Sequence, residues 1–271
     1  MSVTLETFTD IAAAAAALAA PGAAYLGGGS LLVRRANEGD VALTHYVRLA
    51  DPALRAIEVC PGRIRIGAGV TMGEILRHPG LDFLGTAARL IGGPAIRNAA
   101  TVGGNLYARA PYGDFAVALL ALDAVVHLGG RSGERDVPVE DFLAKRGTAF
   151  AKAIVTAVSF AVPANGTFRF IKASRVRPKG LSVVTIAAVL DTRDGLISFA
   201  RIALGCLADR PMRALAAETA LIGRAQTPEG IAPALALALE GTTPITDAVA
   251  SGWYRGAVLP VHLGRLLLAD A

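Results

Sequence analysis

Two short stretches of bare backbone are the parts of this chain best suited to chemistry. They are Gly27-Gly28-Gly29-Ser30 and Thr101-Val102-Gly103-Gly104-Asn105. Each sets glycine beside a small hydroxyl. Glycine lets several N–H donors reach a phosphate oxygen with no side chain between, and it enters backbone conformations closed to other residues. One such loop is common. Two of them, followed by the lone acid Asp114, point to a ligand with two phosphates held from both sides. In that reading Asp114 accepts from sugar hydroxyls; on spacing alone it serves equally well as a helix cap.

The familiar phosphate loops do not fit. A Walker A loop needs G-x-x-x-x-G-K-[ST], and neither segment carries the lysine. A dinucleotide fingerprint needs G-x-G-x-x-G, and Leu32 stands where the third glycine belongs. Glu58 is a poor candidate for the acid at the end of the next strand. Elsewhere no acid–base dyad, nucleophile or metal set stands out. Cys60 and Cys206 are far apart, and His45, His78, His127 and His262 are scattered, so neither zinc nor an iron–sulfur cluster is expected in this chain.

The bulk composition narrows the class. With 271 residues, 53% apolar and 18% charged, the chain can bury one large core or two to three packed subdomains. The net charge of +5 comes mostly from dispersed arginines, and only 6% of residues are aromatic. That leaves no stacking platform for bases, and nucleic acid is not an expected partner. The longest uncharged run, residues 11–33, is broken by Pro21-Gly22, three further glycines and Ser30, so no membrane span is expected. Its alanine-rich start follows Glu6 and Asp10 with no Lys or Arg, unlike a secretory leader. Free thiols fit a reducing, cytoplasmic location.

The elements that must carry these residues can be read from periodicity and caps. Residues 3–7 read as a strand, 11–20 as a helix capped by Thr9 or Asp10, and 23–26 as a buried strand running into the first glycine cluster. A helix or turn from Leu31 and a strand over 44–49 complete a β-α-β unit. Arg63-Ile64-Arg65-Ile66 alternates as a half-buried strand, and Thr71 caps a helix over 72–77. Further helices are expected over 84–90 and 115–122, the latter capped by Asp114, with strands over 125–128 and 154–162. Phe168 and Phe170 share one face of a strand, and Arg193-Asp194-Gly195 joins two more as a hairpin. Pro211 is expected to open a helix closed by Gly223, Thr227-Pro228-Glu229 to start a second, and residues 247–268 to hold a third.

Several of these stretches, in order, resemble the FAD-binding medium subunit of the molybdenum hydroxylases, the group of xanthine dehydrogenase and carbon monoxide dehydrogenase. The first is Tyr25-Leu26-Gly27-Gly28-Gly29-Ser30-Leu31-Leu32, similar to the family's A-G-G-x-S/D-L-L. Ile66-Gly67-Ala68-Gly69-Val70-Thr71 is similar to its I-G-A-x-x-T turn, and Ile96 through Asn105 to its I-R-N-x-x-T-I-G-G-N motif. Pro111 to Asp114, residues 118–124, Gly205 to Pro211, Glu218, Leu221, Gly223 and Tyr254-Arg255 also match, so the resemblance covers almost the whole chain. The usual acid of the L-x-D-L step is missing near 45–49, and Gly180 stands where many relatives have Asp.

The resemblance implies an α+β fold: a two-subdomain FAD-binding domain of the vanillyl-alcohol-oxidase (PCMH) type, residues 1–56 and 57–163, then a C-terminal flavoprotein domain, 167–271, made of an antiparallel sheet with a three-helix bundle. It implies FAD contacts at Tyr25, Leu26, Gly27, Gly28, Gly29, Ser30, Leu31 and Leu32, and at Thr101, Gly103, Gly104 and Asn105. Asp114 would meet the sugar or phosphate region, Ile154 or Val155 the flavin or its ribityl chain, and Lys172 the flavin. Ile91 falls where some relatives place an aromatic against the flavin. The implied partners are a small subunit with two [2Fe–2S] clusters and a large molybdenum–pterin subunit, arranged as a dimer of heterotrimers. Electrons would pass through the clusters to FAD, then to NAD, quinone or oxygen. Two other readings stay open on the residues alone. One is a stand-alone flavin oxidase or reductase with His78 or His127 as base; the other is a flavin-free assembly subunit.

Overall fold

The computed structural model describes residues 3–130, 133–176 and 180–269. Residues 177–179, which end the densest basic run of the sequence, lie outside the described residues.

The chain opens with a small parallel layer. Strand β1 (Thr4–Phe8), helix α1 (Ile11–Leu18), strand β2 (Ala23–Tyr25), helix α2 (Leu32–Asn37) and strand β3 (His45–Leu49) follow one another, and the sheet order is β1-β3-β2. Six consecutive alanines make α1 a strong helix former, and the Asp10 carboxylate caps it by accepting from the Ala13 N–H at 2.7 Å. Ala14, Leu18, Ala23, Val47 and Leu49 form its core together with Leu54 and Ile154, contributed from the next layer. The strand expected as buried is only half-buried along β2.

The second layer is an antiparallel sheet of β4 (Ile57–Cys60), β5 (Arg63–Gly67), β6 (Val125–Gly129), β7 (Arg135–Pro138) and β8 (Ile154–Ala161), ordered β4-β5-β8-β6-β7. Between β5 and β6 run α3 (Met72–Ile75), α4 (Gly85–Arg89), α5 (Pro94–Arg97), α6 (Val102–Tyr107) and α7 (Asp114–Ala121), and α8 (Val139–Lys145) follows β7. A capping box of Thr71 with Glu74 starts α3. Every residue of α7 is buried. A helix apolar all round belongs between two layers. α7 indeed lies between the second sheet's core and the C-terminal sheet.

That third sheet is antiparallel: β9 (Phe168–Ser174), β10 (Ser182–Arg193), β11 (Leu196–Gly205) and β12 (Met212–Arg213), ordered β12-β11-β10-β9. Its hairpin turns at Asp194 (φ 54°) and Gly195 (φ 76°), as the sequence predicts. Alternation decides its two faces. Ile186, Ala188, Leu190, Ile202 and Leu204 point to helices α9 (Leu215–Leu221), α10 (Pro228–Ala236) and α11 (Gly252–Leu267). Small Ala187 and Ala203 point to the α7 side, and Gly205 is bare because a Cβ there would lie 2.7 Å from Val117.

Two local expectations are corrected, and some short elements were not foreseen. Pro211 opens no helix; it precedes the two-residue strand β12, and α9 begins at Leu215. Strands β4 and β7 and helices α5 and α8 are too short for periodicity to show them. Asp114 is not the cap of α7: Gly113, at φ 82°, is the cap residue, and Asp114 is the first helical residue, its carboxylate turned elsewhere. Among the described residues no helix is long and apolar enough to cross a membrane, and no cluster of His, Cys, Asp and Glu could hold a metal ion.

The C-terminal domain is pinned by Arg255, fully buried on α11. Its guanidinium donates to the Ser182 carbonyl at 3.0 Å, the Val183 carbonyl at 2.5 Å and Asp247 Oδ1 at 2.6 Å. Burial alone would raise the Asp247 carboxyl, but the Ala250 and Val249 amides and the Arg255 guanidinium outweigh it and hold the group below the usual range. A carboxyl depressed in the folded state adds stability above its unfolded value, near ~4, and loses it as pH falls through the folded value. Arg255→Met is expected to cost about 3 kcal/mol, read as a lower denaturant midpoint at neutral pH, and the deficit against the wild-type chain should narrow on acidification.

Candidate functional site

The first glycine segment leaves the sheet at Leu26, whose N–H still donates to the Val47 carbonyl at 2.8 Å. The next six amides, of Gly27, Gly28, Gly29, Ser30, Leu31 and Leu32, donate to no acceptor among the described residues. Backbone donors are almost always paired in folded proteins, with protein or with water. Gly29 sits at φ 72°, and its carbonyl takes the Val33 N–H at 2.9 Å, starting α2. Six unpaired donors in a partly exposed run that enters a helix N-terminus form a cradle for anionic oxygen.

The second segment differs from expectation. It is the first turn of α6, capped by Thr101 Oγ1, which accepts from the Gly104 N–H at 3.1 Å. The Val102 and Gly103 N–H groups donate to the Val70 and Ala68 carbonyls, each at 2.9 Å, and the Asn105 N–H to the Thr101 carbonyl. The amides of Val102, Gly103, Gly104 and Asn105 are therefore spent inside the protein and are not the open donors the sequence suggested. Gly103 is bare because a Cβ would press on Ala68 at 3.0 Å. The segment serves as a wall. A Cβ on Gly28 would lie 1.6 Å from the Ala99 carbonyl oxygen, and one on Gly27 would lie 3.1 Å from Thr101 Oγ1. The two segments, distant in sequence, thus meet backbone to backbone. Arg97 stiffens the approach by donating to the carbonyls of Arg89 at 3.1 Å and Gly92 at 2.7 Å.

Asp114 and Lys172 lie together where α7 packs on the C-terminal sheet. Lys172 Nζ donates to Asp114 Oδ2 at 2.8 Å and to the Leu90 carbonyl at 3.0 Å, with both side chains under a tenth exposed. Asp114 Oδ1 accepts from Ser182 Oγ and Thr185 Oγ1, each at 2.5 Å. A carboxylate so surrounded is satisfied within the protein. Ser182 and Thr185 were not foreseen. Three residues apart on an ideal strand they would face opposite sides; the register shift between Ser182 and Val184 in the β9–β10 pairing turns both to Asp114.

The remaining candidates separate. Tyr25 ends β2, and burial pushes its phenol up to about 12. Ile154 is buried in the core of the first layer and Val155 in that of the second, so they join the layers as packing posts. His127 is no exposed base: it sits between Asp136 Oδ1 at 2.6 Å and Ser159 Oγ at 2.8 Å, and Ser159 is buried. His78 accepts from the Gly80 N–H at a 3-10 turn.

A phosphate cradle walled by a second backbone segment, backed by a sheet-and-helix domain bonded to it through a buried ion pair, defines a nucleotide-cofactor domain with an appended module. Comparison with known families makes the class specific. Residues 2–164 match the FAD binding domain in molybdopterin dehydrogenase, and residues 169–269 match the CO dehydrogenase flavoprotein C-terminal domain. The chain belongs to the FAD-binding medium subunits of the molybdenum hydroxylases and is an oxidoreductase flavoprotein subunit. It is 30% identical over 223 residues to the nicotine 6-hydroxylase medium subunit of Paenarthrobacter nicotinovorans, covering 80% of this chain and 78% of that protein. It is 27% identical over 224 residues to the carbon monoxide dehydrogenase medium chain of Hydrogenophaga pseudoflava, with the same coverage. Among solved structures it superposes on the Hydrogenophaga pseudoflava carbon monoxide dehydrogenase lacking the Mo-pyranopterin moiety of its cofactor, with a TM-score of 0.91, 26% identity, and coverage of 100% of this chain and 97% of that one. Quinoline 2-oxidoreductase from Pseudomonas putida 86 gives a TM-score of 0.88 at 26% identity, covering 99% and 96%.

Gly28→Ala should force the first segment off the Ala99 backbone and lower retained FAD by tenfold or more, measured as flavin absorbance per chain after desalting. Gly85→Ala, in a helix with nothing within 4 Å of the new Cβ, should leave flavin content unchanged and stabilise the fold by up to about 1 kcal/mol.

Proposed function

We propose that this chain is the electron-transfer subunit of a heteromeric molybdenum hydroxylase. It would receive electrons from [2Fe–2S] clusters in a small partner and pass them from FAD to NAD, quinone or oxygen. Substrate would be hydroxylated on a large molybdenum–pterin partner, in a dimer of heterotrimers in the cytoplasm. The observation that carries the reading is the run of six unpaired amides from Gly27 to Leu32 facing the wall of 99–104. The names of the relatives, medium subunit and medium chain, support the heteromeric part.

In this reading Tyr25, Leu26, Gly27, Gly28, Gly29, Ser30, Leu31 and Leu32 hold the FAD pyrophosphate and its flanks, with backbone N–H groups as donors. Thr101, Gly103, Gly104 and Asn105 bound the cleft on its far side. The paired Asp114 and Lys172 form its polar floor, and Ile154 and Val155 fix the layers on either side. FAD, when bound, accepts electrons singly or in pairs and so links one-electron clusters to a two-electron acceptor. The chain's own residues bind, orient and keep water from the cofactor; none is assigned a catalytic role. The domain extents that go with this are 1–56, 57–163 and 167–271.

The test is co-expression of the tagged chain with candidate small and large partners from its own genome. The expected result is a complex containing FAD, iron and molybdenum in which added substrate bleaches the flavin. A chain that retains flavin yet purifies alone and turns over a substrate unaided would overturn the heteromeric assignment.

A further inference from the structure

The chain that carries the open amides is tied twice to the stretch that faces it. One tie is the contact of Gly28 with the Ala99 carbonyl, where no side chain fits. The other is made by Arg34, on α2. Its Nη1 donates to the Tyr112 hydroxyl at 2.7 Å, and its guanidinium carbon lies 6.0 Å from the centre of the Tyr112 ring. Each of these side chains is held from its own side. Arg34 Nε also donates to Glu38 Oε1 at 2.7 Å, at the end of α2. Tyr112 stands on a turn, its N–H donating to the Arg109 carbonyl at 2.9 Å, with Gly113 at φ 82° directly after it.

Residues 28–34 and 99–112 therefore close into a ring, joined at both ends. The unpaired amides of Gly28 to Leu32 lie along its shorter arc. The two joints differ in kind. The one at Gly28 is backbone against backbone, packed too closely to rearrange. The one at Arg34 is side chain to side chain, with the Arg34 side chain 55% exposed, and water competes for a bond so placed. FAD has the shape of a dumbbell, an adenine and an isoalloxazine joined through a narrow pyrophosphate. With the pyrophosphate between the amides and the wall of 99–104, a closed ring around it passes over neither end. Entry and exit of the cofactor then require a joint to open, and the joint able to open is Arg34–Tyr112.

We propose that Arg34 and Tyr112 form a clasp that opens to admit FAD and closes to keep it. The inference rests on the reading of residues 27–32 as the FAD pyrophosphate cradle, and adds to that site two residues that neither glycine segment contains. Both partners of the bond belong to the protein, so its strength is the same with and without the cofactor. The clasp thus acts on the path and not on the bound state. It slows entry and exit alike and leaves the affinity almost untouched. A side chain that contacted FAD directly would behave differently, since losing such a contact speeds exit far more than it changes entry.

The test measures both rates on the full chain. Association is followed by mixing FAD with flavin-free protein and recording the change in flavin fluorescence. Release is timed by adding excess 5-deaza-FAD to loaded protein and reading the flavin absorbance that survives desalting. Tyr112→Phe keeps the ring and removes the hydroxyl; Arg34→Gln removes the charge at an exposed position. Each is expected to raise the association and release rates together by about fivefold, with the dissociation constant changed by less than about twofold. The double variant should be no faster than either single one, because they remove the same bond. Wild-type rates in both variants overturn the clasp. So does faster release with an unchanged association rate, which marks an ordinary contact with FAD. If the wild-type chain takes up no FAD, the cradle reading falls and the clasp falls with it; if it takes up FAD at rates that neither substitution alters, the clasp alone falls.

Discussion

The contact between Gly28 and the Ala99 carbonyl is the constraint on which the rest of the molecule turns, because at 1.6 Å from an added Cβ there is no room for any side chain. Two backbones pressed together leave their outward amides with nowhere to bond within the chain. On one side the problem is solved by helix α6, whose first turn takes carbonyls from Ala68 and Val70 and a cap from Thr101. On the other it is left unsolved, from Gly27 to Leu32, and that unsolved side is where a ligand is useful. Two similar-looking segments thus differ in how far their amides are satisfied within the chain. Strand β3 backs the first segment through the Val47 carbonyl, and β5, ending at Gly67, leads to the Ala68 and Val70 carbonyls that back the second.

The constraint reaches into the C-terminal domain through polar groups. Lys172 connects the Leu90 carbonyl to Asp114, and Asp114 connects in turn to Ser182 and Thr185. Ser182 is used twice, by its hydroxyl toward Asp114 and by its carbonyl toward Arg255. Buried ion pairs contribute little net stability against a well-packed apolar alternative, yet they penalise wrong arrangements heavily. Here the pair crosses from the cofactor domain to the appended module, which suits a device for fixing their relative position.

Much of this was legible in the amino-acid order, and for physical reasons. Alternation in Arg63–Ile66, the Asp194-Gly195 turn and the alanine run of α1 are local signals, and each formed where it was read. The ordered motifs, taken with a resemblance to a known family, pointed to FAD. What stayed hidden depends on long-range geometry. Nothing in Val102-Gly103 announces that its amides are consumed, because the acceptors lie more than thirty residues earlier, at Val70 and Ala68. Asp114 looked like a cap because its spacing suits one, but Gly113 can take the positive φ and release the carboxylate for Lys172. Ser182 and Thr185 share a face only because the strand slips register.

The bulge that brings Ser182 and Thr185 to one carboxylate has a bearing on how such proteins can be recombined. Joining this cofactor domain to the C-terminal module of a relative is not a matter of choosing a clean boundary in the linker. The graft would have to carry a lysine, two hydroxyls and the slipped register that aligns them, or else leave the buried Asp114 carboxyl without its partners. The domain border in sequence and the border in chemistry do not coincide, and α7 belongs, in the second sense, to both sides.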